Sequence, residues 1–222
     1  IDSNNSPILD FFSGSATTAH AVMQLNAEDG GHRRYICVQL PEETPEDSEA
    51  RKAGYITIPE IAKERIRRAG AKIKADSPFT TQNLDTGFRV YRLDESNYEK
   101  VSLSPKEYKQ DQLDLFANNI KADRTDLDLL YGSMLAWGVR LDLPLQPENV
   151  DGCTIYTVNE GDLVACFSPS ITDKVVAAMA AKSPLRVLFR VACINEYAKT
   201  TKLYDQLQST LEWAKTVLYT IM

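Results

Sequence analysis

The chain has 222 residues, 43% of them hydrophobic and 25% charged, with a formal net charge of −6, a balance that predicts a soluble globular protein with ample material for a core. No run approaches the about eighteen apolar residues of a membrane span, and the start, Ile1-Asp2-Ser3-Asn4-Asn5, has no Met and no basic-then-apolar leader; the expectation is a cytoplasmic chain that is a piece of something longer, or processed. Residues 1–75 carry 10 basic and 11 acidic side chains and residues 76–222 carry 15 and 20, so the acidic second half is a poor general surface for phosphate backbones.

In chain order, Pro7–Phe12 is a short apolar run ended by small polar residues, which predicts a buried strand. A helix follows from about Ala16 to Ala27, with Ala19, Val22, Met23 and Ala27 at helical spacing and Gly30 or Gly31 free to take the left-handed C′ position. Tyr35–Leu40 is apolar except for Gln39, the pattern of a strand buried on both faces of a parallel sheet. Strand, helix and strand make a βαβ unit. Residues 41–57 predict a loop with a turn of helix near Ser48–Ala53. A helix then begins at Pro59, with Ile61 or Ala62, Ile66, Ala69 and Ile73 as its buried stripe. Its basic residues, Lys63 to Lys74, are interleaved with Glu60 and Glu64; phosphate contact is one reading and a solvated face the blander one.

Gly87–Asp94 predicts a further strand. Beyond it the character changes, with a capping box at Ser104–Glu107 and a second cap at Thr125 and Asp128 that opens a helix to Gly138. Cys153–Val158 and Leu163–Phe167 flank Asn159-Glu160-Gly161-Asp162, which predicts a hairpin. Ser170 is placed as the cap of a helix through Ala181, Leu185–Ile194 as a long strand, and the tail from Asn195 as mostly helical. A domain boundary is expected between residues 76 and 100, with parts spanning 1–94 and 95–222. Cys37, Cys153, Cys166 and Cys193 are far apart, without a CxxC pair, and read as reduced thiols. His20 and His32 lack partners at metal-ligand spacing, so no metal is expected. Met134 and Trp137 read as core or interface.

The turn Ser13-Gly14-Ser15-Ala16-Thr17-Thr18 has two readings. One is a plain strand-to-helix turn. In the other its small residues let a ligand touch backbone N–H groups at a helix N-terminus. It is neither a P-loop, lacking a Lys before the Thr pair, nor a G-x-G-x-x-G fingerprint.

The fuller string "ILDFFSGSATTAHAV" resembles the D-x-F-x-G-S-G-T-T motif of S-adenosylmethionine-binding DNA amino-methyltransferases. It is followed in order by "RRYICVQLPE", "KAGYITIPEIAKERIRRA", "GFRVYRLDESNY", "DLLYGSMLAWGV", "LVACFSPSIT" and "PLRVLFR". From about Pro7 to Arg190 this succession is similar to the C-terminal portion of the modification (Mod) subunit of type III restriction-modification systems. The resemblance implies an α/β chain: part of a Rossmann-like S-adenosylmethionine-dependent methyltransferase sheet, then a smaller mixed α/β assembly domain. The activity implied is adenine-N6 methylation of DNA. The implied cofactor-binding residues are Asp10, Phe11, Phe12, Ser13, Gly14, Ser15, Thr17 and Thr18, with Gln39 where such folds usually offer an acid to the ribose. For Gln39 a bond to backbone is the equal alternative, and Glu42 and Glu43 lie just beyond it. Ala16 stands where the motif has its second glycine, and a Cβ there disfavours positive φ and crowds a close ligand. His20 reads as a partly exposed residue of the motif, not a base. Implied partners are DNA, the restriction (Res) subunit and a second Mod copy.

The D/N-P-P-Y/F loop that holds the target base in such enzymes is absent, since the chain contains no Pro-Pro. No residue of this chain is therefore expected to be catalytic, and the chain by itself is expected to be inactive. The alternative is a noncatalytic assembly module of a restriction complex, with a degenerate cofactor turn.

Overall fold

A computed structural model describes residues 4–99 and 119–190, together with the backbone of 217–221. The backbone forms two units, Ile1–Val90 and Tyr91–Met222. The boxed cap at Ser104–Glu107 lies outside the described residues.

In the first unit β1 (Pro7–Phe11) and β2 (Arg34–Val38) pair in parallel, with Asp10 opposite Cys37 and Phe11 opposite Val38. They are joined through α1 (Thr17–Asp29), whose C-cap Gly30 takes the left-handed conformation at φ 68. The return to β2 is fixed by buried Asn26. Its amide nitrogen donates to the Arg33 carbonyl at 2.9 Å, and its oxygen accepts the Arg33 N–H at 3.1 Å. A short α2 (Glu49–Lys52) is capped by Ser48, and α3 (Ile58–Asp76) opens with Glu60 accepting the N–H groups of Ile56 and Thr57. Those two donors hold the Glu60 carboxyl below its usual range. Ala19 and Met23 of α1 meet Ala62, Ile66, Ala69 and Ile73 of α3, with Tyr35 and Cys37 of β2 packed against them.

The other face of β1 and β2 is open. Leu9 and Ile36 are each 54% exposed, Phe11 62% and Val38 42%, and they lie opposite one another in register. The expectation that β2 is buried on both faces is thus corrected. Its outward residues have no covering layer among the described residues, so only every second side chain is enclosed.

Gly87–Asp94 is a second correction: it carries no strand ladder, and Leu93 is almost fully exposed. Phe88 packs locally instead, against the core of α1 and α3 and under the Arg67 guanidinium, 5.5 Å from the ring centre.

In the second unit the sheet order is β3-β4-β5-β6-β7. The strands β3 (Leu145–Val150), β4 (Cys153–Val158) and β5 (Leu163–Cys166) are antiparallel in turn. Then β6 (Arg186–Arg190) and β7 (Val217–Ile221) continue parallel to β5. The expected hairpin is present, with Val158 opposite Leu163. Alternate residues of β5 and β6 serve opposite faces. Leu163, Ala165 and Leu188 meet α4 (Asp126–Ala136), while Val164, Cys166, Val187 and Phe189 meet α5 (Asp173–Ala180). Helix α4 starts at the expected Thr125–Asp128 box, and Met134 and Trp137 belong to its core.

Three details differ from expectation. The N-cap of α5 is Thr172, not Ser170; the Ser170 carbonyl instead accepts the Cys153 thiol, and the Thr172 hydroxyl donates to Asp151 at 2.7 Å. Residues 217–221, expected within a helical tail, instead form β7, paired in parallel with β6. Strand β3 was not anticipated, because Pro147 and its polar neighbours hide a strand that sits beside a single partner, where proline is tolerated.

Gly70, inside α3, has no room for a side chain: a Cβ there would lie 2.9 Å from Thr86 Cβ. Helix propensity alone makes Gly70→Ala stabilising by up to about 1 kcal/mol. We expect the reverse, a loss of about 1–2 kcal/mol by urea unfolding, relieved when Thr86→Gly is added.

Candidate functional site

The most unusual backbone in the first unit follows β1. Within five residues Phe12 (φ 60), Gly14 (φ 53) and Ala16 (φ 59) all take the left-handed region. For the two non-glycine residues this costs roughly 1–2 kcal/mol each. The turn is held from β2. Ser13 N–H donates to the Val38 carbonyl at 3.1 Å, and Gly14 N–H donates to Gln39 Oε1 at 2.8 Å. Ala16 N–H closes back on the Ser13 carbonyl at 2.9 Å.

The parallel register explains why Gln39, distant in sequence, reaches the turn. With Phe11 opposite Val38, the residues just after both strands emerge at the same end of the sheet. Of the two roles open to Gln39, the structure displays the backbone bond.

Asp10 and Thr18 face each other across the turn, the Thr18 hydroxyl donating to Asp10 Oδ2 at 2.5 Å. That hydroxyl is therefore used on the strand and not as a helix cap. The N-cap makes no side-chain bond and no acidic residue lies in the first turn of α1; the Ala19 N–H is taken by Cys37, which leaves the N–H groups before it as donors of the kind that receive anions. A Cβ placed on Gly14 would meet nothing within 4 Å, so the space over this backbone is open. Phe11 and Phe12 stand exposed beside it, Phe12 at 77%; Thr17 is exposed and Ser13 and Ser15 half-buried.

Ala16 keeps the positive φ expected of glycine. Its methyl is fully buried in the core formed with α1 and α3, so it does not project over the open side of the turn.

Two contacts were missed at the level of sequence. Arg65 of α3 donates through Nη1 to Ser15 Oγ at 2.9 Å. Its only sequence signal is a place on the flank of the stripe between Ala62 and Ala69. Cys37 lies beneath the turn. Burial raises its thiol pKa and the Asp10 charge raises it further, against opposing donors at Ser13 and Ala19.

A strand, a tight left-handed turn and a helix without a side-chain cap thus meet beside open backbone at Gly14, an arrangement of the α/β type. No protein-family model matches the chain, but individual relatives do. It is 31% identical over 218 residues to the Mod subunit of the type III restriction-modification enzyme EcoPI of Escherichia phage P1, covering 92% of this chain and 31% of that protein. It is 54% identical over 85 residues to the StyLTI Mod subunit of Salmonella typhimurium, 38% of this chain and 13% of that one. It is 42% identical over 59 residues to the type II methyltransferase M.KpnI of Klebsiella pneumoniae, 27% of this chain and 14% of that one. The chain is thus homologous to part of the Mod subunits of type III restriction-modification enzymes, and it spans less than a third of the length of each of these relatives.

Two outcomes test this geometry. Ala16→Gly relieves about 1–2 kcal/mol of backbone strain but loses a buried methyl and loosens the unfolded chain by similar amounts. We expect unfolding free energy to change by less than about 1 kcal/mol, where a buried alanine in ordinary helical backbone loses more. Asp10→Asn removes a charge that raises the Cys37 pKa, so alkylation of Cys37 at mildly alkaline pH, followed by peptide mass mapping, should become faster.

Proposed function

We propose that this chain is the cofactor-binding and C-terminal part of a DNA adenine-N6 methyltransferase of the Mod type, using S-adenosylmethionine in the cytoplasm. The observation that carries the reading is the unhindered backbone at Gly14, set between the exposed phenyl rings and the uncapped start of α1, in a chain homologous to Mod subunits. These features fit the group: an amino-acid carboxylate suits helix N–H donors, and an apolar chain and purine suit Phe11 and Phe12. Asp10, Ser13, Ser15, Thr17 and Thr18 supply polar atoms around that space, and Gln39 acts by holding Gly14. When bound, the cofactor supplies an electrophilic methyl on a sulfonium. This chain's own residues bind and orient; none of them is assigned a proton or a bond to the base.

The base-holding loop is assigned to polypeptide outside this chain, because no D/N-P-P-Y/F string occurs here. The open apolar face of β1 and β2 supports the same view, since parallel sheets are ordinarily covered on both faces. The second unit is read as an assembly domain, toward a second Mod copy or the Res subunit, with DNA held mainly by parts beyond this chain.

Titration calorimetry should give saturable heat with S-adenosylmethionine at one site, weakened in Gly14→Val. Absence of saturable heat overturns the cofactor assignment. Transfer of labelled methyl to duplex oligonucleotides by this chain alone is expected to be nil, and any measurable transfer would overturn the division of the active site.

A further inference from the structure

On the flank of the turn, Ser15, Tyr55 and residues of α1 and α3 line an open concavity of about 420 Å³. Among its lining residues are Ser15, His20, Tyr55, Arg65, Arg68 and Lys72, with Ile61 and Ala69 as apolar parts of the wall. That volume is in the range of small-ligand pockets.

The charges decide what it can take. Glu64 also lines it, but its carboxylate is committed to Arg68, at 2.6 Å from Nε. Arg68 in turn donates to the Tyr55 hydroxyl at 3.2 Å, leaving that phenol's own proton to give. Arg65 is bonded to a neutral hydroxyl, Ser15 Oγ, which likewise retains a proton to donate. Lys72 has no hydrogen bond or ion pair among the described residues. Two cationic heads without a carboxylate, and two hydroxyls with protons to give, therefore surround one concavity.

We propose that this pocket seats a phosphate group, held by Arg65 and Lys72 and by the hydroxyls of Ser15 and Tyr55. Planar guanidinium donors beside a mobile ammonium suit a tetrahedral oxyanion, and the aliphatic wall suits a sugar attached to it. A nucleic-acid phosphodiester and a small phosphorylated molecule share this chemistry. The reading does not depend on the cofactor assignment, because it rests on the lining of this concavity and not on the open backbone at Gly14. Through Ser15, however, an anion here touches the same turn.

The test uses the whole chain and a charge-matched pair of variants. Lys72→Glu alters the pocket. Lys63→Glu makes the same change of net charge on the opposite side of α3, being half a turn out of phase at about 100° per residue. Affinity for a fluorescein-labelled 12-base-pair duplex is read by anisotropy at low salt, and inorganic phosphate is titrated while amide resonances are followed. We expect Lys72→Glu to weaken duplex binding at least about fivefold and Lys63→Glu less than about twofold. Inorganic phosphate should shift the amides of Ser15, His20 and Lys72 in the parent chain only. Phosphate shifts without duplex binding assign the seat to a small phosphorylated molecule. Equal losses in both variants without localised phosphate shifts, or no response to either probe, overturn the proposal. Calorimetry with S-adenosylmethionine on the same samples separates this result from the fate of the cofactor reading.

Discussion

Three left-handed residues in so short a stretch do not hold themselves. Phe12 and Ala16 are strained in isolation, and Gly14 is free to leave its conformation. What keeps them is the end of β2, through the Val38 carbonyl and the Gln39 side chain. That support exists only because β1 and β2 run parallel in one register, and the register exists only because α1 is long enough to carry the chain back. The turn, the uncapped helix start and the open backbone at Gly14 all follow from this one tie. A polar residue inside an otherwise apolar strand is thereby explained by a partner in the neighbouring loop.

The two units solve the same problem unequally. In the second, β5 and β6 have a helix against each face, and both sets of alternating side chains are buried. In the first, α1 and α3 cover one face and the other presents Leu9, Phe11, Ile36 and Val38 to solvent. The inequality is one of layers, not of sequence quality, for β2 is as apolar as β6. It leaves the first unit, among the described residues, with one apolar sheet face uncovered.

Much of this was legible in the residues. The helix stripes, the Thr125–Asp128 box, the Gly30 stop and the Val158–Leu163 hairpin depend on neighbours near in sequence, and local chemistry announces them. The strand-to-helix turn after β1 was legible as a string, and the relatives bear out the Mod resemblance. What the residues did not disclose depended on distant partners. Gly87–Asp94 alternates like a strand but finds no ladder, whereas β3, interrupted by Pro147, does find one. Gln39 offered two roles of equal standing, and only the register of β1 and β2 brought its oxygen to Gly14. Arg65 resembled one more solvated cation until folding set Ser15 beside it.

Ala16 carries a last consequence, in the currency of mutation and drift. Codons for alanine and glycine differ by a single base, so the two residues are adjacent in evolutionary steps. At this position the strained backbone disfavours alanine while the buried methyl favours it, and the two contributions are of similar size. Selection on stability then has little grip, and lineages can cross between the residues in either direction. An alanine in a glycine motif need not mark a decaying site, because the turn's shape is dictated from β2 and its open side does not meet the methyl.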